Sequence, residues 1–195
     1  MVPLLNKLGV PLEVQQFFGC RVRFDFGSDA ELFDEGFHYV PATSGICRFG
    51  LPTARLVILC CSVMEAIAYL TLKRHRYPDL GAVACVAVGS LPSVLQIDEV
   101  RSKYGKCKFI LLFGDDLTGK AMDIFVACAI IGLAVGLKLK PEHILITCNG
   151  RSMVLLHEKL SLHAFQQMFG IRTLCRTDKA RGNNTFLLQL LGTAS

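Results

Sequence analysis

From Arg55 onward, short uninterrupted apolar runs alternate with stretches of helical texture. Leu56–Cys61, Ala82–Val88, Phe109–Phe113 and His143–Cys148 read as four strands. A strand that is apolar at every position must be covered on both faces, and a helix between successive strands supplies the crossover that parallel pairing requires. The spacing therefore predicts an α/β fold, a parallel sheet with helices on both faces. Those helices fall at 62–74, 91–104, 119–137 and 151–169, followed by a short strand or loop over 173–177 and a terminal helix over 184–191.

The first fifty residues have a different texture. Leu4, Leu5, Leu8, Leu12, Val14, Phe17 and Phe18 follow helical spacing broken by Pro11, Arg21–Phe26 alternates as a strand does, and 27–36 is an acidic loop. The expected organisation is thus a small N-terminal α+β lead-in over 1–53, a core over 54–150, and a C-terminal helical extension over 151–195 packed on that core.

A chain that is 52% hydrophobic and 19% charged is too apolar to stay disordered and raises the question of a membrane. The longest uncharged apolar run, residues 124–137, falls short of the roughly 18–20 residues a spanning helix needs. No basic segment precedes an apolar stretch and cleavage site at the N-terminus, so a cytoplasmic protein without a membrane partner is expected. The nine cysteines, an odd number, sit largely in apolar runs and form no C-x-x-C pair, which favours reduced, core-filling thiols over disulfides or zinc.

Chemistry is expected where the strand Phe109–Phe113 enters Gly114-Asp115-Asp116-Leu117-Thr118-Gly119-Lys120, because ligands of parallel sheets bind outside the carboxyl ends of strands. Gly114, Gly119 and Lys120 match a P-loop up to its last position. There the match fails, because Ala121 replaces the magnesium-binding hydroxyl and two aspartates stand where phosphate should nest. An acidic turn holding Mg²⁺ through Asp115 and Asp116 is the alternative. The same aspartates also suit a helix N-terminus, as cap and dipole partner, and both readings stand.

This order of motifs resembles the Toprim domain of primases, topoisomerases and related nucleases. In that domain a first strand ends in a glutamate, and a later one in an Asp-x-Asp turn followed by glycine and a helix. More narrowly, it is similar to Toprim-like proteins of bacterial plasmids and conjugative elements, whose motifs resemble E-S-x-x-D-A and D-N-D-x-x-G. The resemblance spans about residues 54–150 and implies a parallel Toprim, Rossmann-like sheet. Cys61-Ser62-Val63-Met64-Glu65-Ala66 lies on the first motif and Gly114-Asp115-Asp116-Leu117-Thr118-Gly119 on the second. Cys61 thus stands at the glutamate that acts as general acid or base, and Gly114 at the first metal-binding aspartate, while Asp116 keeps its essential position. A thiol is a poor ligand for magnesium. Glu65 could reach back to substitute, but Ser62-x-x-Glu65 also spells a capping box, the favoured reading.

The net charge of +5 is mild, but it is clustered. Lys73, Arg74, His75 and Arg76, and then Lys103, Lys106 and Lys108, read as solvated helix ends. Arg172, Arg176, Lys179 and Arg181, in a Gly-Asn-rich loop, fit either solvent or nucleic-acid phosphate. The resemblance then implies a nucleic-acid-associated module with degenerate acidic motifs and weak Mg²⁺ affinity, in DNA mobilization or replication of a mobile element. An active Mg²⁺-dependent primase-like or nuclease-like enzyme using Asp115, Asp116 and Glu65 is one alternative. A structural subunit, with its apolar surplus covering a homo-oligomer or partner-protein interface, is another.

Overall fold

Pro11 splits the first apolar segment into two short helices, α1 (Pro3–Lys7) and α2 (Leu12–Phe17). The computed structural model describes residues 1–193. After α2 come three short strands, β1 (Arg23–Asp25), β2 (Ala30–Asp34) and β3 (Phe37–Tyr39), which pair antiparallel in sequence order as a small meander. Alternation sends Phe24, Glu31 and Phe33 inward, all of them buried. Then β4 (Cys47–Phe49) leaves this unit for the central sheet.

The central sheet is built from β4 with β5 (Leu56–Cys60), β6 (Val83–Ala87), β7 (Lys108–Leu112) and β11 (Cys175–Thr177), in the order β11-β7-β5-β6-β4. All neighbours run parallel except β4, which lies antiparallel to β6 at the edge. The molecule is therefore mixed α/β, as the alternation predicts. The helices between these strands are α3 (Val63–Leu72), α4 (Val94–Tyr104) and α5 (Leu117–Ile130). From β5 the chain steps to β6 on one side and then crosses back to β7 on the other. The order reverses between β5 and β7, and at such a switch point the strand ends diverge into a crevice.

The two sheet faces carry two separate cores. Ile58, Cys60, Cys85, Ile110 and Leu112 face α3, the N-terminal unit and α7 (Phe186–Thr193). Val57, Leu59, Val86, Phe109 and Leu111 face α4, α5 and α6 (Leu162–Phe169). All nine cysteines are free thiols, and six are buried, as expected of core-filling residues. No helix among the described residues is long and apolar enough to cross a membrane.

The region 131–156 departs from the sequence reading. The apolar run 124–137 is not one helix: α5 ends at Ile130, where Gly132 adopts φ +75° and a Schellman cap closes. Leu133 N–H donates to Cys128 O at 2.9 Å and Gly132 N–H to Ala129 O at 3.0 Å. The chain then forms β8 (Val135–Leu139), β9 (His143–Cys148) and β10 (Arg151–Leu156), an antiparallel meander separate from the central sheet. Thus 143–148 is a strand but not a fourth parallel one, and 151–156 is strand where helix is expected. Ile144, Ile146 and Cys148 are buried while Leu145 and Thr147 are not, the period-2 pattern of a sheet with one covered face. The parallel sheet takes its fourth strand, β11, from residues 175–177 instead.

Candidate functional site

The switch point brings together the end of β5 with Cys61 and Ser62, the end of β7 with Gly114, Asp115 and Asp116, and the 178–185 segment that follows β11. The packing of α5 against this point depends on Gly119. A Cβ there would lie 2.0 Å from Gly114 O, so a side chain would push the helix off the strand end.

Each carboxylate singled out in the sequence already has a partner. Asp116 is the N-cap of α5, its Oδ1 accepting the Gly119 N–H at 2.7 Å. It therefore fills the helix start that a P-loop would leave open for phosphate. Asp115 Oδ1 lies 3.3 Å from Lys120 Nζ, and the Asp115 N–H donates to Asn184 O at 2.9 Å. Ser62 caps α3 by accepting the Glu65 N–H at 3.0 Å, which is half of the expected capping box. The Glu65 carboxylate does not return the bond. It is buried and accepts the N–H groups of Phe186 at 2.6 Å and Leu187 at 3.0 Å, at the start of α7. Burial raises its pKa, against the lowering effect of those two bonds.

Cys61, just beyond β5 and beside the Ser62 cap, is half-buried. Burial, with the nearby Glu65 and Glu31 carboxylates, pushes its thiol up to about 12, so it stays protonated at neutral pH and is no reactive thiolate. Among the described residues no group of three or more His, Cys, Asp or Glu side chains could hold a metal ion. Asp115, Asp116 and Glu65 are thus engaged separately, with a lysine, a helix cap and a second helix start.

The basic residues divide. Arg172, Arg176 and Arg181 are exposed. Lys179 is not: its Nζ donates to Asp123 Oδ2 at 2.6 Å, Phe113 O at 2.7 Å and Gly114 O at 2.9 Å. This lysine is a structural clasp, and its ammonium has no donor left for a phosphate. The Lys73–Arg76 cluster, read as a solvated helix end, is brought to the same locality. Arg76 Nη1 lies 3.1 Å from Asp178 Oδ2, which also accepts from Tyr69 Oη at 3.1 Å. Lys73 Nζ sits 5.9 Å above the Phe186 ring. Arg176 alternates with buried Cys175, which belongs to the α4/α5 side, so it faces the α3/α7 side.

Three residues that organise this end of the sheet are not evident from motif spacing. Glu31, fully buried on β2, accepts the Val63 and Met64 N–H groups at 2.6 and 3.0 Å and lies 3.0 Å from His38 Nε2. Asp178 joins the two basic clusters. Asp123 is 1% exposed, and burial pushes it up to about 7, past the lowering effect of Lys179. Only Asp123 gives a signal in the sequence, as the one carboxylate within the apolar stretch of α5. Comparisons with protein-family models, with curated proteins and with solved structures find no match to this chain.

Proposed function

We propose that the chain is a Toprim-like, nucleic-acid-associated module whose acidic motifs no longer form a working metal centre. The carrying observation is the meeting of Lys73–Arg76 with the 176–181 segment through the Arg76–Asp178 ion pair. Two clusters about a hundred positions apart thereby meet, with Arg176 and Arg181 exposed on the segment that carries Asp178. Arg74 and Arg76 are balanced by Glu13 and Asp178. The charges offered to phosphate are therefore those of Lys73, Arg176 and Arg181, which together neutralise more than one phosphate, as an isolated lysine does not. Impaired catalysis is favoured over an active Mg²⁺-dependent enzyme because Asp116 and Glu65 are spent on helix starts. The Toprim sheet and the mobilization or replication setting rest on the motif resemblance.

The test is fluorescence anisotropy with labelled single-stranded and duplex DNA. Binding should weaken as salt rises from about 50 to 200 mM, and R176E/R181E should lower the log–log salt slope by about 2, one for each phosphate no longer neutralised. Binding that ignores both salt and the double substitution would sink the reading. Mg²⁺ should not be required.

A structural-subunit reading has one observation in its favour, a hollow of about 330 Å³ lined by Leu91, Met122, Phe125, Val135 and Leu137, of which Leu91 is itself exposed. Sedimentation velocity at micromolar concentration tests it, and a strict monomer counts against it.

A further inference from the structure

The Lys179 ammonium has the surroundings of a bound ion. Three oxygens from two elements converge on it: the carbonyls of Phe113 and Gly114 beyond β7, and Asp123 Oδ2 on α5. All three of these partners are oxygen, which is the donor set of a hard cation. Asp123 is buried, and its second oxygen, Oδ1, has no hydrogen-bond partner, so the carboxylate is committed to this one charge. The place lies at the carboxyl ends of β7 and β11, where the sheet opens. We propose that this is a monovalent-cation site with a tethered occupant, and that without the lysine side chain the same oxygens bind potassium or a small alkylammonium ion.

Size and charge both select a monocation. The oxygens stand 2.6–2.9 Å from Nζ, whereas Mg²⁺ requires about 2.0–2.1 Å and Ca²⁺ about 2.3–2.6 Å. Contraction around a smaller ion is resisted, because the two carbonyls come from adjacent residues at a strand end. Their backbone is held by the Asp115–Asn184 hydrogen bond and by the close seat of Gly119 on Gly114. Rings of carbonyl oxygens are how proteins replace the water shell of potassium. The one carboxylate on the ion, Asp123, balances one positive charge once it is ionised, which burial delays to about 7. The next carboxylate, Asp115, already faces Lys120. A divalent ion would leave a charge unbalanced in a buried place. The cation site stands whether or not the protein binds nucleic acid.

The experiment compares melting temperatures of wild type, Lys179→Ala and Lys179→Ala/Asp123→Asn. Chloride salts of choline, potassium, methylammonium and magnesium are used at matched ionic strength and at about pH 8.5, so that Asp123, which burial raises to about 7, is ionised. Wild type should melt alike in potassium, methylammonium and choline salts. Lys179→Ala should melt several degrees lower in choline chloride and recover most of that loss, saturably, in potassium or methylammonium chloride, with magnesium giving no such recovery. The double variant should recover nothing. Equal melting of Lys179→Ala in potassium and choline salts, or better recovery with magnesium, overturns the proposal. Should Lys179→Ala not fold in choline chloride, refolding yield is compared across the same salts, and equal yields count against the site in the same way.

Discussion

The Glu65 carboxylate and the Phe186 N–H, 121 positions apart in the chain, meet at 2.6 Å inside the protein. With Leu187 at 3.0 Å, Glu65 satisfies two of the orphan donors at the start of α7. Glu65→Ala should therefore cost at least about 2 kcal/mol, since each buried donor left unpaired costs roughly 1–3 kcal/mol. Glu65→Gln, which keeps one acceptor, should fall between. Urea unfolding reads both. Changes within about 0.5 kcal/mol, as at an ordinary surface site, would contradict this role.

Asp123 and Glu65 both have raised pKa values, so they act on stability with the same sign. Between the ordinary 3.8 of Asp123 and its native value of about 7, the folded chain holds a proton that the unfolded chain has released. Stability should thus decline as pH rises through that window, by at most about 1.4 kcal/mol per pH unit for each group. Glu65 adds to the decline from 4.5 upward. Glu13 and Asp29, whose pKa values are lowered, act oppositely but only below their ordinary values of 4.5 and 3.8. Urea midpoints between about pH 5 and 7 should fall in wild type and fall less in Asp123→Asn. A rise in both would reverse the assigned sign.

Adjacent Asp115 and Asp116 should behave unequally. Losing the Asp116 cap should cost about 1 kcal/mol, within the roughly 0.5–2 kcal/mol range of N-caps. Asp115→Ala loses only a part-exposed pairing with Lys120, worth at most about 1 kcal/mol. If the pair served a metal instead, adding Mg²⁺ would raise the melting temperature of wild type and not of the double Asn variant. No such shift is expected.

Two helical glycines should respond in opposite directions to alanine. Gly192 has open space around its missing Cβ, so Gly192→Ala should stabilise by up to about 1 kcal/mol on helix propensity. At Gly119 the same gain is outweighed, because the new carbon would meet Gly114 O at 2.0 Å and overpacking costs about 1–3 kcal/mol. Gly119→Ala should destabilise in thermal melts. A gain there would mean that α5 can lift off the strand end freely.

The parallel strands β5, β6 and β7 were legible because each is apolar along nearly its whole length and is followed by helix-forming sequence. The meander β8–β10 was not. Its first strand continues an apolar run out of α5 with only Gly132 marking the break, and Arg151–Leu156 carries too few polar residues to display its alternation. Of the site, the strand-end placement of Asp115 and Asp116 could be read from order alone. That Glu65 serves α7, or that Lys179 turns inward, depends on which distant segment arrives opposite, and local spacing carries no record of that.

One helical turn, Ser62–Glu65, receives both remote ends of the fold. Glu31 from β2 grips its N–H groups, and its own Glu65 grips α7. Neither the early meander nor the late helix can find its polar partner until that turn exists. Assembly then waits on two long loop closures, one of them spanning more than a hundred residues. Loop entropy grows only slowly with length, but pairings of such separation are those that slow folding. Stopped-flow refolding should therefore show α3 variants such as Ser62→Ala slowing the folding limb more than equally destabilising changes in the β8–β10 meander, whose pairings are all local.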